Sequence, residues 1–599
     1  MPKQLIRRQD VDPADTWALG AIYQTRAELL ADMEALKGMI PEITAYKGRL
    51  HIAENILACF KTEEKIERLL MKVNVYTGLK YNEDLTNQET QGDSLLADNL
   101  LNDYINLSSY ISPELSALPE AELKGMSEDE LLKGYKFALE KLMALKPHIL
   151  SPDKEEAYAS LSEVRNASST TYSIFTNAEL KFPEVVDGEG KSNLLTSGSY
   201  RSFIESRDRV LRQNAFETMH NTYGAFESTL ASLLTTSMKS WNVDTLARGY
   251  RDPVEKALKV NNIPVEVFHS ALTNIESGIP ALKRYVDLKR RSLRLEEMHM
   301  YDLYVPIAAG VSRKYSFDEA VAVALAALQP MGEEYTALFK QGVGEGWIDR
   351  YENLGKRSGA YSSGSYDTYP YISLNFDGSL NDVSTLVHEM GHSIHSWYTR
   401  KHQPYIYGDY SIFLAEVAST CSEKLLIHSL IQGTEDRETK IALLNQEAEQ
   451  IRTTVFRQLM FAEFEMITHD KLIRGEALTA ADLDGIWLEL NRKYYGGAVV
   501  IDDGIKYEWG RIPHFYNDFY VYQYATGYAA ASSFAGQILE TGGAAADRYI
   551  NSLLKAGSSK YPVDVLKDAG VDMTSPQPIL DTIRNFTDII DELEKLIQA

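Results

Sequence analysis

Residues 381–400 read NDVSTLVHEMGHSIHSWYTR. Leu386, Val387, Met390, Ile394 and Trp397 recur at helical spacing on several sides, so the spacing predicts a buried helix. Asn381 or Asp382 is its expected N-cap. His388 and His392 lie four positions apart, so both imidazoles leave one face a turn apart, where a single metal ion can take both. Glu389 sits about 100° around the helix, near enough to hold a water molecule without ligating. A carboxylate there can take the water's proton and pass it to a leaving amine. The plainer alternative is a polar face with two solvated histidines. Buried imidazoles and a buried carboxylate need partners, however, and a metal ion supplies one.

Working outward, residues 355–378 read GKRSGAYSSGSYDTYPYISLNFDG, a Gly/Ser/Tyr-rich loop leading into an alternating strand at 371–376. That strand could pair with an extended peptide or lie inside a small sheet. Beyond the helix, a hydrolytic metal site wants a third protein ligand and an open position. The metzincin spacing would need glycine and histidine where His395 and Tyr398 stand. The thermolysin-like spacing falls on Tyr410, Ser411 and Ile412. The next carboxylates are Asp409, Glu416 and Glu423. Glu416 is the best candidate, because its helical neighbours Phe413, Leu414 and Val417 are apolar and a carboxylate there must ligate or pair. A buried ion pair is the other reading. Glu423, seven residues on, shares its face and could orient a ligating histidine. His395, His402 and Cys421 read as packing residues.

The rest of the chain is mostly helical in pattern, as at 131–145 and 579–597. Two short strands around a turn are expected at 175–193, where DGEGKSN lacks the upstream glycine of a phosphate loop. The 599 residues include 85 acidic and 61 basic, a net charge of −24, which argues against nucleic acid as a partner. No run of about 18 apolar residues exists, so no membrane span is expected. Two cysteines cannot build a disulfide framework, and the first 17 residues lack a signal peptide's apolar core, so a cytoplasmic location is expected. Tyrosines number 36 against 19 phenylalanines, and eight of them lie between Tyr494 and Tyr528, around His514.

HEMGH at 388–392 with Glu416, YDLYVPI at 301–307, GKRSGAY at 355–361, FRQLMFAEFE at 456–465 and RIPHFYNDFYVYQYATGY at 511–528 together resemble the thimet oligopeptidase family. The likeness is strongest to its bacterial branch, oligoendopeptidase F, and covers residues 200–599 best. The resemblance implies a mainly α, two-lobed clamshell around a deep cleft, with a small β-sheet beside the active-site helix. It implies a helical N-terminal lobe at 1–200 and a catalytic domain at 201–599. It implies a zinc endopeptidase for short, unstructured oligopeptides, with one zinc ion per chain on His388, His392 and Glu416 and with Glu389 as general base. Gly359, Ala360, Tyr361 and Ser373 are then expected to touch substrate. His514 is expected to aid catalysis, with Tyr522, or failing it Tyr520, as oxyanion donor. The segment after His514 departs from the family by being shorter and lacking paired glycines, which puts the choice of tyrosine in doubt. Tyr516, Tyr520, Tyr524 and Tyr528 also recur every four residues, as one packed helical stripe would. A related carboxypeptidase and a non-catalytic peptide binder are the other readings, and oligomeric state is left open.

Overall fold

The computed structural model describes residues 5–308 and 313–598. Helices dominate, and the chain divides into two units, each gathered from three segments. The first holds Met1–Ile149, Arg313–Ser429 and Phe534–Val571; the second holds Leu150–Ser312, Leu430–Ser533 and Asp572–Ala599. These cuts are made by contacts, whereas the 200/201 division runs along the sequence. No helix among the described residues is long and apolar enough to cross a membrane.

In the first unit, the long helix Ala53–Glu83 packs between Arg26–Met39 and Gln88–Ser108. Its buried positions Ile56, Ile66, Leu70 and Val73 keep helical spacing against Leu29, Met33, Leu36 and Leu100. The segment expected as one helix at 131–145 is a 3-10 helix, Glu130–Tyr135, followed by the α-helix Lys136–Leu145. Asp129 caps the first piece through the amide of Leu131, and the backbone of Tyr135 breaks the run between the two.

In the second unit, β1 (Val185–Val186) and β2 (Ser192–Asn193) form a small antiparallel hairpin. Asp187 accepts hydrogen bonds from the amides of Glu189 and Lys191, so DGEG is an Asx-type turn. Phe175–Glu179, expected as strand, instead extends the helix Ser162–Ile174 as a π-helical turn. The C-terminal helix runs Gln577–Gln598 and packs on Arg437–Ile451. Nearby, half-buried Glu449 joins Lys289 and Arg452, each at 2.7 Å.

Back in the first unit, β3 (Ile348–Asp349), β4 (Tyr361–Ser363) and β5 (Tyr371–Ser373) form a sheet in the order β3-β5-β4. β5 is parallel to β3 and antiparallel to β4, with Ser362 opposite Ile372. The strand expected at 371–376 is therefore the buried central one, and β4 has the free edge. Under the sheet, Lys356 donates to the Asp349 carboxylate at 2.6 Å and to the carbonyl of Tyr351 at 2.8 Å. Arg8 bridges Asp349 to Glu83, tying the sheet to the long helix.

The motif helix is Leu380–His402, two residues longer at its start than its expected cap. Ser379 is the true N-cap, and Asp382 is its partner in a capping box, accepting from the Ser379 amide at 3.0 Å. Gly378 precedes it with φ +87, where a Cβ would lie 2.6 Å from the Tyr315 carbonyl oxygen. Removing the Asp349 carboxylate leaves the buried Lys356 charge uncompensated. Asp349→Ala is expected to cost about 3–5 kcal/mol, read as a fall in melting temperature; an unchanged melt would contradict the ion-pair account.

Candidate metal centre

Val383, Leu386, Val387, Met390 and Ile394 are all fully buried and seat the motif helix in the first unit. The glutamate helix, Ile412–Gly433, crosses it closely at Gly391. A Cβ on Gly391 would stand 2.7 Å from the Cα of Ser419, so only glycine permits this approach. The approach brings Glu416 to the two histidines. His388 Nε2 and His392 Nε2 are 3.2 Å apart, and Glu416 Oε2 lies 3.7 and 3.9 Å from them. Atoms around a tetrahedral ion with bonds of about 2.1 Å stand about 3.4 Å apart. The separations and the N, N, O donor set thus fit one ion of zinc's kind, and among the described residues this is the one such cluster.

Phe413, Leu414 and Val417 are buried as expected, but Glu416 itself is 39% exposed and faces open space. Among the described residues no lysine or arginine lies within 4 Å of its carboxylate, so the ion-pair reading fails. On the far side of His388, Nδ1 faces Glu423 Oε1 at 3.5 Å. His395 is fully buried and stacks on Tyr410 with centroids 3.7 Å apart. Cys421 is buried and burial pushes its thiol up to about 12, as suits a packing residue.

Two family models match this chain: "Peptidase family M3" over residues 202–585 and "Oligopeptidase F" over residues 114–182. The chain belongs to peptidase family M3. Oligopeptidase PepF of Bacillus subtilis (strain 168) is 43% identical over 596 residues, covering 99% of this chain and 89% of the relative. Group B oligopeptidase PepB of Streptococcus agalactiae is 38% identical, covering 98% of each. The crystal structure of oligoendopeptidase-F from Enterococcus faecium matches with TM-score 0.75 at 34% identity, over 96% of this chain and 99% of that one. A crystal structure from Chlamydophila abortus matches with TM-score 0.94 at 36% identity, over 99% of this chain and all of that one. This M3 peptidase is a metalloendopeptidase, a hydrolase of peptide bonds.

Glu389 of the M3 peptidase is 7% exposed, and the nearby backbone amide of Ser362 in β4 favours its ionised form. Ser362 is held in turn by a 2.8 Å hydroxyl contact with buried Ser393, one turn after Glu389. Neither serine was legible as a site residue; Ser393 at the i+4 position from Glu389 was the only signal. Tyr361 is anchored by Asn82 Nδ2 at 2.7 Å. Asn375 donates to the Gly359 carbonyl at 2.8 Å and shapes the loop before Ala360, while Ser373 is closed off in β5 at 1% exposure.

The tyrosine-rich segment lies in the second unit and is not one helix. Pro513–Tyr516 is a 3-10 turn, Phe519 has φ 57, and the α-helix starts only at Tyr522. The left-handed Phe519, whose amide donates to buried Glu465 at 2.8 Å, breaks the stripe. His514 meets Tyr524 edge-on at 6.1 Å, and Tyr524 meets Tyr520 at 5.3 Å. Tyr522 is instead 2% exposed and packs on Phe268.

Burial disfavours charge on His388, but Glu423, Glu389 and Glu416 outweigh it and raise this ring to about 9. Burial and then the His388 charge drive His392 down to about 3. Burial raises Glu389 from 4.5 to about 7, with Glu416 and Glu423 adding to the rise and His388 opposing it. A raised carboxylate pKa means the folded state disfavours the ion, so the cost is full above about 7 and vanishes below 4.5. Glu389→Gln should therefore raise the melting temperature of chelator-treated protein at about pH 8 and change it little near pH 4.5. A pH-independent difference would contradict this. Gly391→Ala is expected to fold yet lose bound metal, measured by elemental analysis, because the glutamate helix must retreat; full metal content would show that the close approach is dispensable.

Proposed function

We propose that this M3 peptidase hydrolyses internal bonds of short, unstructured oligopeptides, with one zinc ion per chain held by His388, His392 and Glu416. One observation carries the reading: three ligand atoms 3.2 to 3.9 Å apart, beside a buried carboxylate that faces an edge strand. A zinc ion bound there supplies Lewis acidity toward the scissile carbonyl and toward water. Glu389 takes a proton from the attacking water and returns it to the departing amine. Glu423 fixes the His388 ring through Nδ1, which leaves Nε2 free to ligate.

Substrate is read here as an added strand on β4, since β5 has both edges taken. Ser362 of β4 lies beside Glu389, so a peptide on that edge would pass the general base. Gly359, Ala360 and Tyr361 would line its path, while Ser373 would act only through the sheet. Main-chain pairing gives affinity with little side-chain selectivity, which suits an enzyme for mixed oligopeptides. The relatives' names, oligopeptidase and oligoendopeptidase F, support that substrate class. For the oxyanion, His514 and Tyr520 are the preferred donors over buried Tyr522, and such a donor is worth about 3 kcal/mol.

The division of labour at 200/201 belongs to the same reading, with catalysis in 201–599. A cytoplasmic setting is likewise proposed, supported by two buried cysteines that are free thiols. The net charge of −24 argues against nucleic acid as a main partner.

An internally quenched peptide blocked at both ends tests the proposal. Cleavage is expected, with loss on chelation and recovery on adding zinc. Glu389→Gln should lower kcat/KM by about 10²–10⁴-fold. Cleavage only of peptides with a free C-terminus would favour the carboxypeptidase reading, and wild-type rates in Glu389→Gln would refute the mechanism.

A further inference from the structure

One stripe of the motif helix, Glu389, Ser393, Trp397 and Arg400, follows β4 and continues past its end. Arg400 Nη2 donates to the carbonyl of Gly364 at 3.0 Å, two residues beyond Ser362. A Cβ on Gly364 would stand 3.0 Å from Arg400 Nη1 and 2.6 Å from the Tyr369 carbonyl, so the guanidinium is seated tightly at the strand end. There a cavity of about 530 Å³ opens, lined chiefly by Tyr366, Asp367, Tyr369, Trp397, Arg400 and Lys401.

The charges in this cavity do not balance. Asp367 is committed to Arg68, which grips both of its oxygens. Lys401 is exposed, lies over the Trp397 ring at 4.1 Å, and has no carboxylate partner among the described residues. Arg400 Nη1 is buried without any hydrogen-bond partner among the described residues. The buried arginines Arg212 and Arg452 each meet a carboxylate at 2.7 Å. Tyr410 and Asp409 favour the Arg400 charge from nearby, but among the described residues no carboxylate pairs with it within 4 Å, and burial still pushes its pKa down. Across the Arg68–Asp367 pair, a second cavity of about 650 Å³ is lined by Lys61, Glu64, Lys65 and Lys72 of the long helix, with Lys72 paired to Asp32 at 3.2 Å. Lysines and arginines outnumber carboxylates along these two cavities, on a chain of net charge −24.

We propose that the cavity is a substrate subsite that takes a carboxylate of the bound peptide, either its C-terminus or an Asp or Glu side chain. The inference rests on the strand-addition reading given above. A peptide laid along β4 would bring such a group there within about three to five residues of the scissile bond, at about 3.3 Å per residue. Arg400 supplies the fixed planar donor and Lys401 the mobile charge, while Trp397 and the tyrosines cover the apolar part.

The test uses three peptides of one sequence: a free C-terminus four residues past the scissile bond, the same peptide amidated, and the amidated peptide with Asp at that position. Their binding to Glu389→Gln enzyme is read by fluorescence anisotropy, and KM and kcat are read on wild type. The first or the third is expected to bind about tenfold tighter than the second. Preference for the first alone assigns the C-terminus, and preference for the third alone assigns an acidic side chain. Lys401→Glu, an exposed position that leaves the fold intact, should erase the difference through KM with kcat nearly unchanged. Equal binding of all three, or a preference that survives Lys401→Glu, overturns the proposal. Failure of wild type to cleave any of them refutes the endopeptidase mechanism instead, because binding is measured separately.

Discussion

The close approach of two helices at Gly391 is the constraint on which the rest depends. Glu416 can share a point in space with His388 and His392 only because no Cβ separates the motif helix from Ser419. Everything around that contact serves to hold it. The Ser379–Asp382 box fixes where the helix starts, and fully buried Val387, Met390 and Ile394 fix its rotation. The sheet under it is tied by Asp349, Lys356 and Arg8 to the long helix Ala53–Glu83.

In the site Glu389 is buried, whereas His388, His392 and Glu416 are half-buried and reach open space. Burial of Glu389 against the helix and β4 raises its carboxylate to about 7, which suits the proton transfer proposed for it. His388 and His392 are driven apart in basicity by the same burial and by three neighbouring carboxylates. Such an arrangement weakens the fold where it serves the chemistry. Further along the helix, the buried Nη1 of Arg400 has no hydrogen-bond partner among the described residues.

Much of this was legible in the residues. The period of Leu386, Val387, Met390 and Ile394 and the four-residue histidine spacing gave the buried helix and the paired ligands, because those patterns are local. Glu416 was reachable by elimination, although its own exposure was not, since facing a shared open point depends on how two helices cross. The cap fell at Ser379 rather than at Asn381 or Asp382, because Asp382 reads equally well as a cap or as a capping-box partner. The tyrosine stripe failed for a tertiary reason. Phe519 takes a left-handed backbone held by distant Glu465, so Tyr520 and Tyr522 part company. The free edge of β4 was hidden too, because strand order is not written in a strand's own pattern.

The central claim is that Gly391 lets two histidines and one glutamate converge on a single zinc ion. X-ray absorption at the zinc edge on purified enzyme tests it most directly. The account predicts two imidazole nitrogens and light oxygen ligands at about 2.0–2.2 Å with no sulfur. A sulfur shell near 2.3 Å, or a shell unchanged when Glu416→Ala is measured, would contradict it.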